Sequence, residues 1–184
     1  MQRTSAVVDP PEVIDAGALV LRRGTVDDAA PLAAAVAESV EHLAPWMPWA
    51  TPEAGTVEAQ RKRLSERPWG PGDYEYLMDV RGPGIVGACG IHRRIGPGGL
   101  EIGYWVSAWH TRAGYATAAA GALTRTVLSL PGIERVEIHC DEANVASAAV
   151  APRLGYRFDR IEDHAIESAA QSGRFMIWVM ADNA

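Results

Sequence analysis

No run of about 18 consecutive apolar residues occurs in this 184-residue chain, so it offers no candidate membrane-spanning helix. Its first residues, Met1-Gln2-Arg3-Thr4-Ser5, lead into no apolar segment of the secretory type, and a soluble, cytoplasmic protein is expected, with no membrane partner. Cysteine is scarce. Cys89 and Cys140 both lie in strand-like apolar runs, which predicts two reduced, buried thiols rather than a disulfide scaffold. The five histidines (His42, His92, His110, His139, His164) form no His-x-x-x-His pair and no Cys-x-x-Cys pair joins them, so no metal site is predicted. Basic residues are outnumbered, 17 against 23 acidic. A net charge of −6 argues against nucleic acid as a partner, because that affinity comes from Lys and Arg neutralising phosphates. The chain also lacks a Gly-x-x-x-x-Gly-Lys-Ser/Thr loop and a Gly-x-Ser-x-Gly elbow, which removes P-loop nucleotide hydrolysis and α/β-type serine hydrolysis from the candidates.

What is present is enough apolar material, 48% of residues, to fill one sizeable core. Residues 1–16, with Pro10-Pro11, read as a tail or a loosely attached strand, and 17–182 as one domain. A first strand is expected at 17–22. Thr25 is a plausible N-cap, with Asp27 and Asp28 favouring the dipole of a helix over 29–43. The segment Leu43-Ala44-Pro45-Trp46-Met47-Pro48-Trp49 is expected to be a rigid aromatic loop, since two prolines fix the backbone and remove donors. It plugs the core or forms one wall of a ligand groove. Thr51 and Pro52 suit the start of a polar helix over 51–67. After the turn Pro68-Trp69-Gly70-Pro71-Gly72, strands near 74–80, 85–92 and 100–106 should form an antiparallel meander. A helix at 115–130 then leads to a strand at 134–140, an order that implies a parallel crossover inside an otherwise antiparallel sheet. Asn144 can cap a short helix running to Leu154, in which Pro152 is awkward, and strands near 156–162 and 174–180 close the chain.

The segment Trp109-His110-Thr111-Arg112-Ala113-Gly114-Tyr115-Ala116-Thr117 follows an apolar strand and opens an alanine-rich helix. Gly114 and the small residues Ala113 and Ala116 let main-chain N–H groups approach an anion, and the unsatisfied first-turn amides of the helix add positive dipole. Taken alone, the same turn is also what a simple strand-to-helix bend looks like. In the preceding strand, Ile102, Tyr104 and Val106 share one face while Glu101, Gly103 and Trp105 share the other.

Four segments in this order resemble the GNAT superfamily of acyl-CoA-dependent N-acyltransferases. They are the Pro-Trp-x-Pro-Trp loop at 45–49, Glu101-Ile102-Gly103-Tyr104-Trp105-Val106, Gly114-Tyr115-Ala116-Thr117, and Asn144-x-x-Ser147 followed by Arg153-Leu154-Gly155-Tyr156. The resemblance covers about 17–180 and is strongest to the Rim-type branch, which includes ribosomal-protein N-terminal acetyltransferases. It implies an α+β fold: a mixed, mostly antiparallel central sheet with a splayed parallel pair and flanking helices. It also implies acetyl-CoA as the acyl-donor cosubstrate and no metal. By the resemblance, amides of Arg112, Ala113, Gly114, Tyr115, Ala116 and Thr117 hold the coenzyme A pyrophosphate, and Trp105, Val106 and Ser107 offer backbone groups to the pantetheine arm. Asn144 reaches the pantetheine and Ser147 lies near the sulfur. Trp46, Trp49 and Trp105 are expected on the acceptor side.

The chain departs from the family in two places. Thr111 stands where relatives often carry Gln or Arg, with Arg112 beside it. Residues 145–154 contain no tyrosine, whereas many relatives protonate the leaving thiolate with one from this helix. Ser147 is then the expected hydrogen-bond donor to sulfur, a modest demand because a thiol with pKa of about 8.5 leaves readily as thiolate. Glu101 and Glu167 are the candidate general bases for the amine, and His139 a third. The expected acceptor is a protein N-terminal α-amine. A small-molecule amine, such as an aminoacyl nucleotide, polyamine or antibiotic, is the alternative, with acetyl or a longer acyl such as succinyl transferred; a non-catalytic acyl-CoA-binding module is the reading from another class. A monomer or homodimer is expected.

Overall fold

The computed structural model describes residues 9–66, 72–82 and 84–181; the first eight residues and the Pro68-Trp69-Gly70-Pro71 turn of the sequence reading lie outside that range. Eight strands form one sheet: β1 (Val13–Asp15), β2 (Val20–Arg22), β3 (Tyr74–Val80), β4 (Gly84–His92), β5 (Gly99–Val106), β6 (Arg135–Asp141), β7 (Arg157–Asp163) and β8 (Arg174–Ala181). Their order across the sheet is β1-β2-β3-β4-β5-β6-β8-β7, and every neighbouring pair is antiparallel except β5 with β6. The expected meander is β3-β4-β5. The expected parallel crossover is made by the helix α4 (Tyr115–Leu128) between β5 and β6. The strand anticipated within 1–16 is β1, which pairs along its whole length with β2.

Period-two alternation gives the sheet two apolar faces. On one, Tyr76 and Met78 of β3, Leu100 and Ile102 of β5, and Val136 and Ile138 of β6 pack under Ala119, Ala120, Leu123 and Val127 of α4. On the other, Leu77, Ile85 and Ala88 meet Leu32 and Val36 of α1 (Ala29–Ala37) and Leu64 of α3 (Val57–Glu66). Burying each of the Leu, Ile, Val and Met side chains contributes about 2 kcal/mol, and each alanine less. At the start of α1, Asp28 Oδ2 accepts from the Thr25 N–H at 2.8 Å and Arg22 forks onto the same carboxylate at 2.7 and 2.9 Å.

The helices are shorter than the sequence implies, for local reasons. The polar helix expected over 51–67 is a 3-10 turn (Glu53–Gly55) and then α3. At Gly55 a Cβ would stand 2.8 Å from the Ala37 Cα, so glycine lets the turn press against α1, and Thr56 recaps the chain by accepting from the Ala59 N–H. The helix after Asn144 is split into α5 (Val145–Ala148) and α6 (Val150–Arg153), since Pro152 has no N–H to return to the preceding turn. The segment over 29–43 is α1, a break at Glu38-Ser39, and the single turn α2 (Val40–Leu43) that leads into the aromatic loop.

Candidate active site

The parallel pair opens a gap in the sheet. β5 and β6 register only at Gly99 with Arg135, Leu100 with Val136 and Glu101 with Glu137; from there β5 continues beside β4 to Val106 and β6 beside β8 to Asp141. Which backbone groups face the gap follows from one hydrogen bond: the Ser107 N–H donates to the Val86 carbonyl at 2.8 Å, on the β4 side. The Ser107 carbonyl in turn accepts from His110 N–H at 3.0 Å. Alternate residues of a strand aim their amides at the same neighbour, so Trp105 shares this orientation, and Tyr104 and Val106 are the residues whose peptide groups face the gap. The expectation that Ser107 and Trp105 offer free amides there is therefore corrected, because β4 already takes them; the peptide groups turned to the gap are those of Tyr104 and Val106.

Beyond β5, a 3-10 turn (Ala108–His110) delivers the chain to the cradle. Arg112 has φ +62° and is the one non-glycine with a left-handed backbone among the described residues; Gly114, the N-cap of α4, has φ +81°. The first helical bond runs from Ala118 N–H to the Gly114 carbonyl at 2.9 Å, so the N–H groups of Tyr115, Ala116 and Thr117 precede the ladder, and no side chain caps them. No atom lies within 4 Å of where a Cβ on Gly114 would stand. Open space in front of three unpaired amides at the positive end of a 14-residue helix fits a diphosphate.

Across the gap, the Asn144 Oδ1 accepts from the Ser147 N–H at 3.1 Å, so the N-cap role is filled and the carboxamide N–H₂ remains for a ligand. The Ser147 Oγ lies 3.2 Å from the hydroxyl of Tyr104, which also lies 3.2 Å from the Ser147 carbonyl. Burial raises the Tyr104 phenol well above its ordinary value, against the pull of Ser147, so it stays protonated. Burial likewise pushes the Cys140 thiol up to about 11. Both cysteines are free and buried, as expected.

The other face of the gap is a cleft of about 650 Å³ lined by Arg94, Glu101, Arg135, Glu137, His139, Arg160, Glu167 and Phe175. Both predicted bases, Glu101 and Glu167, belong to it. Glu101 is only 5% exposed and is gripped through both oxygens by Arg94, whose Nε stands 2.6 Å away. Glu137, its partner across the last parallel rung, accepts from Arg135 Nε at 3.0 Å and lies 2.7 Å from His139 Nε2. Burial alone would raise Glu137, but His139 and Arg135 outweigh it and hold its carboxyl below the ordinary value. His139 Nδ1 is 3.7 Å from Glu101, so the imidazole that contacts Glu137 also lies beside Glu101, beyond hydrogen-bond distance. The alternation of β5 put Glu101 on the face it shares with Trp105; the ring of arginines and His139 around it was not legible, since that pairing exists only once the register is set.

The segment before β8 reaches this cleft with Glu167, whereas the aromatic loop expected as its wall contributes no residue to the lining. Trp49 of the aromatic loop packs against Trp105, ring centroids 5.7 Å apart and tilted by 60°. The same loop is tied to the segment before β8: Ala170 N–H donates to the Pro45 carbonyl and Gln171 Nε2 to the Trp46 carbonyl, both at 3.0 Å. Asp141 at the end of β6 anchors that segment, accepting from Ala143 N–H (2.9 Å), Ser172 N–H (2.9 Å), Ser172 Oγ (2.8 Å) and Gly173 N–H (3.1 Å), with His164 Nε2 at 3.1 Å. Burial works against the charge, yet these donors hold the carboxyl far below the usual range. Among the described residues no group of metal-ligating side chains is assembled.

A protein-family model described as an acetyltransferase (GNAT) domain matches residues 18–157. No curated protein matches the chain. Among solved structures, the fold is similar to RimJ of Mycobacterium smegmatis in complex with CoA-disulfide (21% identity, TM-score 0.81, covering 95% of this chain and 90% of that one). It is also similar to the ribosomal-protein-S5-alanine acetyltransferase of Vibrio fischeri (16%, 0.78, 93% and 97%). A third likeness is to the microcin C7 self-immunity acetyltransferase MccE in complex with acetyl-CoA and AMP (18%, 0.76, 93% and 97%). At these identities the likeness is one of fold. With the family model spanning most of the chain and the sheet opening between β5 and β6 beside the cradle, this protein belongs to the GNAT acetyltransferases, enzymes that move an acetyl group from acetyl-CoA to an amine.

Proposed function

We propose that the acceptor is the α-amine at a protein N-terminus, of the kind a ribosomal protein presents. The observation that carries this reading is the shape and lining of the cleft: about 650 Å³, continuous with solvent, with charged side chains along its floor and rims. Such a trough admits the end of a peptide, whereas a small amine is better held by an enclosed pocket. The likeness in fold to RimJ and to the S5-alanine acetyltransferase supports it.

The donor sits across the opposite side of the gap. Amides of Tyr115, Ala116 and Thr117, with Arg112 to Gly114 turning toward them, hold its pyrophosphate; the peptide groups of Tyr104 and Val106 and the carboxamide of Asn144 take the pantetheine amides. When bound, acetyl-CoA supplies an acyl group activated as a thioester. On the acceptor side, Glu101, held by Arg94, draws the ammonium of the chain end into the cleft and takes its proton through water, with Glu167 the second carboxylate on the same surface.

The likeness to MccE favours a second reading, a small amine such as an aminoacyl nucleotide. Incubating the protein with acetyl-CoA or succinyl-CoA and a panel of free peptides, Nα-blocked peptides, polyamines and aminoacyl nucleotides, with thiol release and product mass as readouts, separates the readings. Free peptides should turn over and blocked ones should not. Preference for the nucleotides or polyamines would overturn the proposal, and coenzyme binding without turnover on any amine would replace it by a binding module.

A further inference from the structure

The short helix after β6 supplies no tyrosine, yet a tyrosine stands at Ser147. It comes from β5, 43 residues earlier, where the strand has already parted from β6. A serine hydroxyl has one proton and two lone pairs. In a helix that proton is commonly given to a carbonyl one turn back, but the neighbours of Ser147 Oγ here are the Tyr104 hydroxyl, at 3.2 Å, and the Cys140 thiol. Tyr104, kept protonated by burial, has a single proton to give, either to the Ser147 carbonyl or to its Oγ, both at 3.2 Å.

We propose that Tyr104 is the positioning residue of the donor site: by donating to Ser147 Oγ it turns the serine's proton into the gap, toward the sulfur of the bound coenzyme. The inference rests on the donor site described above. In the transfer, the amine nitrogen bonds to the acyl carbon and loses a proton toward the Glu101 side, while the carbon–sulfur bond breaks and its electron pair stays on sulfur. Ser147 hydrogen-bonds the departing thiolate, which is protonated from solvent; neither hydroxyl is ionised. The Cys140 thiol beside Ser147 is pushed up to about 11 by burial although Ser147 and Trp178 pull it down, so at neutral pH it stays a thiol, a far weaker acceptor for the serine's proton than the departing thiolate.

The test needs no acceptor amine. The thiol of coenzyme A bound to the protein is titrated by the ultraviolet absorbance of its thiolate, against the free protein as blank, in wild type, Tyr104→Phe, Ser147→Ala and the double variant. One lost hydrogen bond to a charged sulfur should raise the bound thiol's pKa by about one unit in Tyr104→Phe and in Ser147→Ala. The double variant should match Ser147→Ala, because Tyr104 acts only through the serine. With an accepted amine, Tyr104→Phe should lower kcat about tenfold at unchanged KM for acetyl-CoA and unchanged melting temperature. A Tyr104→Phe thiol that titrates as wild type, or shifts that add in the double variant, overturns the inference while leaving the donor site intact. Absence of coenzyme binding in wild type overturns both.

Discussion

At Gly114 and Arg112 the chain carries two left-handed residues in three, and only one of them is glycine. The conformation costs a side-chain-bearing residue about 1–2 kcal/mol, so Arg112 holds strain where the cradle turns. Replacing Arg112 by Gly should raise the melting temperature by about 2–4 °C and yet raise KM for acetyl-CoA, since a cation is lost beside the pyrophosphate; a thermal melt and a donor titration measure the two effects, and a fall in melting temperature would refute the strain. Gly114→Trp should abolish coenzyme binding by filling the open space before the helix amides, with unchanged affinity counting against the cradle. For proton removal, Glu101→Gln should cut turnover roughly tenfold or more and move its pH dependence, with Glu167→Gln as the companion variant. If both keep full activity, the amine arrives already neutral and the carboxylates serve binding. These residues differ in how visible they were. Gly114 and Asn144 are local signals, readable from a turn and a cap, whereas Tyr104 read only as a core-facing strand residue because its partner Ser147 is 43 positions away.

At the scale of elements, the site is made by a pair of strands that begin together and part. That geometry depends on how tightly β4 holds β5. A Cβ on Gly87 would stand 2.2 Å from the Trp105 carbonyl oxygen, a main-chain atom that cannot rotate aside. Gly87→Ala should therefore push β5 toward the gap, destabilising the fold by about 1–3 kcal/mol and weakening coenzyme binding together; denaturant melts and a binding isotherm report on both, and loss of neither would show the strand spacing to be slack. Elements with a strong period were legible, including the β3-β4-β5 meander, the crossover through α4, and the closing strands β7 and β8. What failed was helix continuity at Gly55 and Ser39, positions where contacts with α1 and with the end of β5 decide the backbone: the Ser39 Oγ donates to the Ala35 carbonyl at 2.6 Å and accepts from the Ala108 N–H at 3.0 Å. No local propensity encodes those meetings.

Over the whole molecule, buried carboxylates tie distant segments and make stability depend on pH. Arg22 holds Asp28 below the ordinary value. Asp141 and Glu137 are lowered despite burial, by their hydrogen-bond donors. Each contributes stability that is complete only above about pH 5 to 6, where the unfolded carboxyl is fully ionised, and that is lost as pH falls through the folded value. Glu75 acts in the opposite sense, since burial raises its carboxyl more than Arg63 lowers it. With three lowered and one raised, the melting temperature should fall as pH drops from about 6 to about 3, and Asp141→Asn should flatten that fall. Asp141→Ala should cost about 3 kcal/mol or more and loosen the segment over 164–173, seen as faster amide exchange there; protection equal to wild type would remove Asp141 as its anchor. The sequence by itself determined the order of strands and the turn that opens α4, because the first follows from periodicity and the second from a few consecutive residues at the mouth of a helix. Only the tertiary structure decided how distant parts meet: the register of β5 against β6 brings Glu101, Glu137 and His139 into one charged floor, the parting of those strands sets Tyr104 on Ser147, and Ala170 and Gln171 tie the late loop that Asp141 anchors to an early one, because these contacts join segments that the linear chain keeps far apart.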